Sequence, residues 1–263
     1  ENVSNPSQTI ESDIFRIKPY LLTRVNSDST YYEYKKERDQ WGFSNTSEQM
    51  WPSQWYQQFN YRGIDPFTSR AYPQWLSLGV FHFAKSSDFP DWVSWVNAFT
   101  TDNCYLSLSN GVYSPSAVFN WWVNKRAWQG SCFGIATANG LAFNYKNDFQ
   151  SKYPNFPPFV QPSNVAANDA VRKVINELHV YQMGEPHTSY RKNAQDTTTP
   201  NATLVGIKKM LTDESESFRV LNIFKNDMGH TVLPYKVTRD QVDSHTFYIH
   251  VYDNAYPDLT NAI

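Results

Sequence analysis

A run of small residues near the middle of the chain, Gly130-Ser131-Cys132-Phe133-Gly134-Ile135-Ala136-Thr137-Ala138-Asn139-Gly140, sets the tightest constraint on its fold. A helix with so little side-chain bulk gains its stability from neighbours that pack closely on its backbone. The Gly130-Ser131 pair turns the chain just before it, which places Cys132 in the first helical turn. The N–H groups there lack intrahelical partners, and the positive end of the helix dipole favours an anion. A thiolate is such an anion and is the reactive form of cysteine, whose ordinary pKa of about 8.5 falls at helix N-termini. The other reading of Cys132 is a buried thiol that packs as a small hydrophobe.

Two later stretches favour the reactive reading. In Asp227-Met228-Gly229-His230-Thr231-Val232-Leu233, a loop ends in Gly-His and a largely apolar strand begins. In Thr246-Phe247-Tyr248-Ile249-His250-Val251-Tyr252-Asp253-Asn254, an aromatic and β-branched strand ends in Asp-Asn before the Pro257 turn. If these strands pair, His230 at the start of one meets Asp253 at the end of the other. A base oriented by a carboxylate, facing a thiol on a helix tip, is an activated-nucleophile arrangement. Asn254 is the alternative orienting residue. Neighbours on a strand point to opposite faces, so only one of the two can face His230.

Gly130-Ser131-Cys132-Phe133, Gly229-His230 and the strand ending at Asp253-Asn254 resemble the papain-like cysteine peptidases, in particular secreted or surface-displayed bacterial forms. The resemblance spans Trp121 to Pro257, about half the chain. It implies an α+β fold in which a nucleophile helix packs on an antiparallel β-sheet or barrel. It also implies a thiol hydrolase with Cys132 as nucleophile, His230 as base and Asp253 as orienting residue. The chain departs from the family's Cys-Gly-Ser/Ala-Cys-Trp/Tyr signature, with Gln129 at the first Cys and Phe133 after the nucleophile. The family's oxyanion-hole glutamine falls on Arg126. Gln129, three residues before Cys132, is the candidate for that donor beside the Cys132 N–H. The same Cys-His-Asp order also serves transglutaminases, acyltransferases and peptidoglycan endopeptidases, and a papain-like fold can act as a non-catalytic binding or adhesion module.

Composition bounds the remaining choices. With 40% hydrophobic and 18% charged residues among 263, the chain is that of a folded globular protein. A net charge of -2 gives no footprint for nucleic acid; the partner that the resemblance implies is a peptide or protein substrate. No apolar run approaches the roughly 18 residues of a membrane span. The six histidines show no HExxH or Cys/His ligand spacing, so neither metal nor cofactor is expected. Cys104, the only other cysteine, is expected to be a free buried thiol. The opening Glu1-Asn2-Val3, without Met, suggests a mature or trimmed product whose targeting segment has been left out, and the resemblance implies a protein secreted or held at the cell surface.

Residues 1–117 form an aromatic-rich N-terminal region, expected to fold onto a catalytic core at 118–263. Pro90-Asp91 followed by Trp92, Val93, Trp95, Val96 and Phe99 predicts a helix. Trp75–Ala84 reads as one strand, and the Cys132 helix runs to about Asn147 with Ile135, Ala138, Ala142 and Tyr145 as its buried stripe. A second helix is expected over Val165–Met183, with Val171, Val174, Ile175 and Leu178 on its apolar face. Gln182–Pro200 then reads as an exposed loop, and Asn201 as the cap of a helix over Ala202–Leu211. Phe218–Phe224 and the His230 stretch read as a hairpin. In the last strand, His250, Tyr248 and Tyr252 share one face, expected to be the outer one.

Overall fold

The structure, a computed structural model, describes residues 20–25, 31–50, 64–77, 79–82, 90–124, 130–156, 169–213, 216, 218–225 and 228–257. The first elements are strands β1 (Thr23–Val25) and β2 (Tyr31–Glu33), then the single turns α1 (Lys36–Asp39) and α2 (Ser47–Met50). Short strands β3 (Ile64–Asp65), β4 (Arg70–Ala71), β5 (Trp75–Ser77) and β6 (Val80–His82) follow. Next come α3 (Trp92–Phe99), α4 (Thr101–Cys104), β7 (Tyr105–Ser107), β8 (Val112–Tyr113) and α5 (Pro115–Asn124). Helices α6 (Cys132–Asn144), α7 (Lys146–Lys152) and α8 (Asp169–Val180) precede a 3-10 turn at Tyr181–Met183. The chain continues through α9 (Glu185–Thr197), α10 (Pro200–Thr212), β9 (Leu221–Lys225), β10 (Met228–Arg239) and β11 (Phe247–Tyr252). The fold is α+β, with small antiparallel sheets.

Two compact units divide the chain, and each draws on residues from both sides of position 117. One comprises Glu1–Gly42, Asn139–Val165 and Gln195–Ile263; the other comprises Phe43–Ala138 and Ala166–Ala194.

The first unit is built around the antiparallel sheet β11-β10-β9. Its edges do not close on one another, and among the described residues there is no barrel; the antiparallel sheet is the form the chain takes. Val232, Leu233 and Val237 of β10 and Val251 of β11 are buried, and α10 contributes Ile207, Met210 and Leu211 to the core. Pro234 sits where the β10–β11 register slips, the kind of irregularity at which a residue without an N–H is tolerated. Residues beside β1 extend the sheet: the Leu22 N–H donates to the Tyr235 carbonyl at 2.8 Å, and the Val237 N–H to the Tyr20 carbonyl at 2.9 Å. Tyr252 is fully buried and its hydroxyl donates to the Trp41 carbonyl, so it does not share an outer face with the exposed Tyr248. It is the last residue of β11, where strict alternation gives way: Val251 and Tyr252 are both buried.

The second unit is organised by α3. Asp91 caps it, its Oδ1 accepting the Ser94 N–H at 2.8 Å. The buried face of α3 carries Trp92, Trp95 and Val96, which join Cys104, Tyr105, Val118, Trp121 and Val180 in one cluster. Trp92 meets Trp121 edge-on at 5.4 Å between centroids, a favoured aromatic geometry. Its Nε1–H donates to the Tyr105 hydroxyl at 2.9 Å, and that hydroxyl donates to Asp65 Oδ2 at 2.7 Å. The fully buried Asp65 also accepts from Tyr113, Thr68 and the Phe67 N–H, so its carboxylate is satisfied by hydrogen bonds.

Four local expectations are corrected. The stretch expected as one strand over Trp75–Ala84 is, from Trp75 to His82, a hairpin of β5 and β6, with the last two residues outside the described ones; Gly79 in its turn has φ +79, a backbone region that suits glycine. Glu185–Thr197 is a helix rather than a loop; Pro186 lies in its first turn, where a missing N–H costs nothing. The cap of α10 is Thr199, whose Oγ1 accepts the Ala202 N–H, and Asn201 already lies inside the helix behind Pro200. Helix α6 ends at Asn144, so Tyr145 falls outside it and is 46% exposed, while Ile135, Ala138 and Ala142 are buried.

Candidate active site

His230 is the third residue of β10, opposite Ile223 of β9. Asp253 follows β11 directly, and the register that sets Tyr252 opposite Leu233 carries it past Val232 towards the start of β10. His230 Nε2 and Asp253 Oδ1 lie 2.7 Å apart. Asp253 Oδ1 also accepts the Ala255 N–H at 2.9 Å. Burial pushes the Asp253 carboxyl up, but the His230 hydrogen bond, the Ala255 N–H and the His230 charge outweigh it and hold the group below its ordinary value. Asn254 is fully buried and turns elsewhere, its Nδ2 donating to the Thr231 carbonyl at 2.9 Å. Thr231 in turn donates its hydroxyl to Asn222 Oδ1 at 2.6 Å. The residues flanking His230 and Asp253 are thus bonded to each other and to β9, which fixes the strand ends that carry the pair.

Cys132 opens α6 and is half-buried. It belongs to the second unit, as do the neighbouring residues described next. Ser131 is buried and donates its hydroxyl to Asn176 Oδ1 at 2.5 Å. Asn176 Nδ2 donates to the Met50 carbonyl at 2.8 Å. The Gly134 N–H, in the first turn of α6, donates to His179 Nδ1 at 3.2 Å. Gly130 forms an isolated antiparallel bridge with Thr46. Gln129 and Arg126 lie outside the described residues. Cys104 is free and fully buried, and burial pushes its thiol up to about 12, which makes it a poor nucleophile at neutral pH.

Sequence reasoning missed Asn176 and His179. The signal available was their spacing of three on α8, beside the apolar residues Val174, Ile175 and Leu178. Buried polar side chains on a packed helix face call for partners.

Among the described residues no group of three or more His, Cys, Asp or Glu is placed to hold a metal ion. No helix among them is long and apolar enough to cross a membrane. Comparison of the chain with protein-family models, with curated proteins and with solved structures finds no match.

Proposed function

We propose that the chain is a papain-like thiol hydrolase, a cysteine peptidase that is secreted or displayed at the cell surface. The observation that carries this reading is the 2.7 Å contact of His230 Nε2 with Asp253 Oδ1. An imidazole held by a carboxylate has its tautomer and orientation set for proton transfer. The first-residue position of Cys132 on a 13-residue helix adds to it.

With Nε2 committed to Asp253, Nδ1 is the nitrogen that handles the proton. His230 takes the Cys132 proton, and the thiolate attacks the carbonyl carbon of a peptide bond. The Cys132 N–H, with Gln129 as second donor, stabilises the tetrahedral oxyanion; one such donor is worth about 3 kcal/mol. His230 then protonates the leaving amine as the C–N bond breaks. Water, deprotonated by the same imidazole, attacks the thioester and releases the acid and the free thiol.

The test is a digest of an unfolded protein by the full chain and by Cys132→Ala, with and without a small primary amine. The native chain is expected to release new free carboxyl ends and the variant none. Equal cleavage by Cys132→Ala, or none by the native chain, overturns the reading; products carrying the amine assign the same site to acyl transfer instead.

A further inference from the structure

Helix α8 sends two polar side chains, one turn apart, to the start of α6. Asn176 holds the Ser131 hydroxyl and the Met50 carbonyl, and His179 holds the Gly134 N–H. Cys132 lies between the two anchored residues. Between these bonds the helices touch backbone to backbone: a Cβ on Gly134 would lie 2.1 Å from the Ile175 carbonyl oxygen. Gly130, on the other side of Cys132, is equally confined, since a Cβ there would lie 2.3 Å from the Asn45 carbonyl oxygen.

The Gly134 N–H is one of the first-turn donors that a helix leaves without an intrahelical acceptor. Here a side chain from another helix accepts it. His179 is 7% exposed, and burial lowers its pKa to about 3, so at neutral pH it is an uncharged ring. Its Nδ1 accepts, which places the ring proton on Nε2. Helix packing alone is served at lower cost by apolar side chains, because buried polar groups must be satisfied one by one.

We infer that Asn176 and His179 are positioning residues for Cys132, locking the Ser131–Gly134 turn so that the thiol and the Cys132 N–H keep one orientation. This rests on the reading of Cys132 as the nucleophile. A reacting sulfur needs defined geometry, and displacement of about 1 Å can cost a hundredfold in rate.

The test is the pH profile of Cys132 alkylation by iodoacetamide in the full chain, with buried Cys104 as an internal reporter of folding. His179→Phe keeps an aromatic ring and removes the acceptor; His179→Asn retains an acceptor close to the position of Nδ1. His179→Phe is expected to move the profile to higher pH and to slow alkylation at pH 7 about tenfold, as loss of a well-aimed helix N-terminus implies. His179→Asn is expected to restore most of the rate, and on peptide substrate His179→Phe lowers kcat with KM little changed. If His179→Phe exposes Cys104 to reagent, Ser131→Ala, which removes a single hydroxyl, carries the same test. A native profile in the variant with Cys104 still protected overturns the inference. A native chain that cleaves no peptide, yet shows these shifts, removes the peptidase reading and leaves the positioning intact.

Discussion

Replacing His230 with alanine is expected to lower kcat/KM for peptide cleavage about a thousandfold or more, the range lost with a general base. The fold is expected to survive. The His230–Asp253 contact joins side chains that are 30% and 14% exposed, and partly solvated pairs of this kind contribute about 1 kcal/mol or less. Steady-state kinetics beside a thermal melt separates the two effects: activity collapses while Tm moves by a few degrees at most. Asp253→Asn offers a graded comparison, because an asparagine oxygen can still accept from the imidazole. It is expected to lose less activity than Asp253→Ala. Equal activity in native and His230→Ala chains removes the base from the mechanism.

The largest effect on stability is expected at Trp92. Its side chain is fully buried, meets the Trp121, Tyr105 and Tyr113 rings edge-on, and donates to the Tyr105 hydroxyl. Trp92→Ala leaves a ring-sized cavity and is expected to cost about 3–5 kcal/mol. It also strips a donor from the hydrogen-bond chain that ends on buried Asp65. Urea unfolding followed by far-UV circular dichroism reads this as a fall in midpoint with an unchanged slope. Trp92→Phe retains much of the ring volume and is expected to lose less.

How much of this was legible in the sequence differs from element to element. Helix α3 could be read because Pro90-Asp91 marks its start and its Trp and Val residues repeat at helical spacing. Helix α9 could not: Tyr190 is 64% exposed and Arg191, Lys192 and Asn193 face solvent, so no apolar stripe betrays the helix. The β5–β6 hairpin was hidden because its turn is marked by one glycine, Gly79, inside a stretch of strand-forming residues. Cys132, His230 and Asp253 stood out because each follows or precedes a turn signal at the end of a regular element. Choosing between Asp253 and Asn254 needs the strand register, with Tyr252 opposite Leu233, and alternation alone does not supply it. The contacts of Asn176 and His179 with the start of α6 join residues 45 positions apart, beyond what local patterning reports.

The most direct test of the proposed chemistry is to treat the native chain at neutral pH with an epoxysuccinyl peptide and locate the adduct by mass spectrometry. The expected result is a stoichiometric thioether on Cys132, none on Cys104, and greatly slowed labelling in His230→Ala. An adduct on Cys104, or Cys132 labelled equally fast with and without His230, contradicts the account.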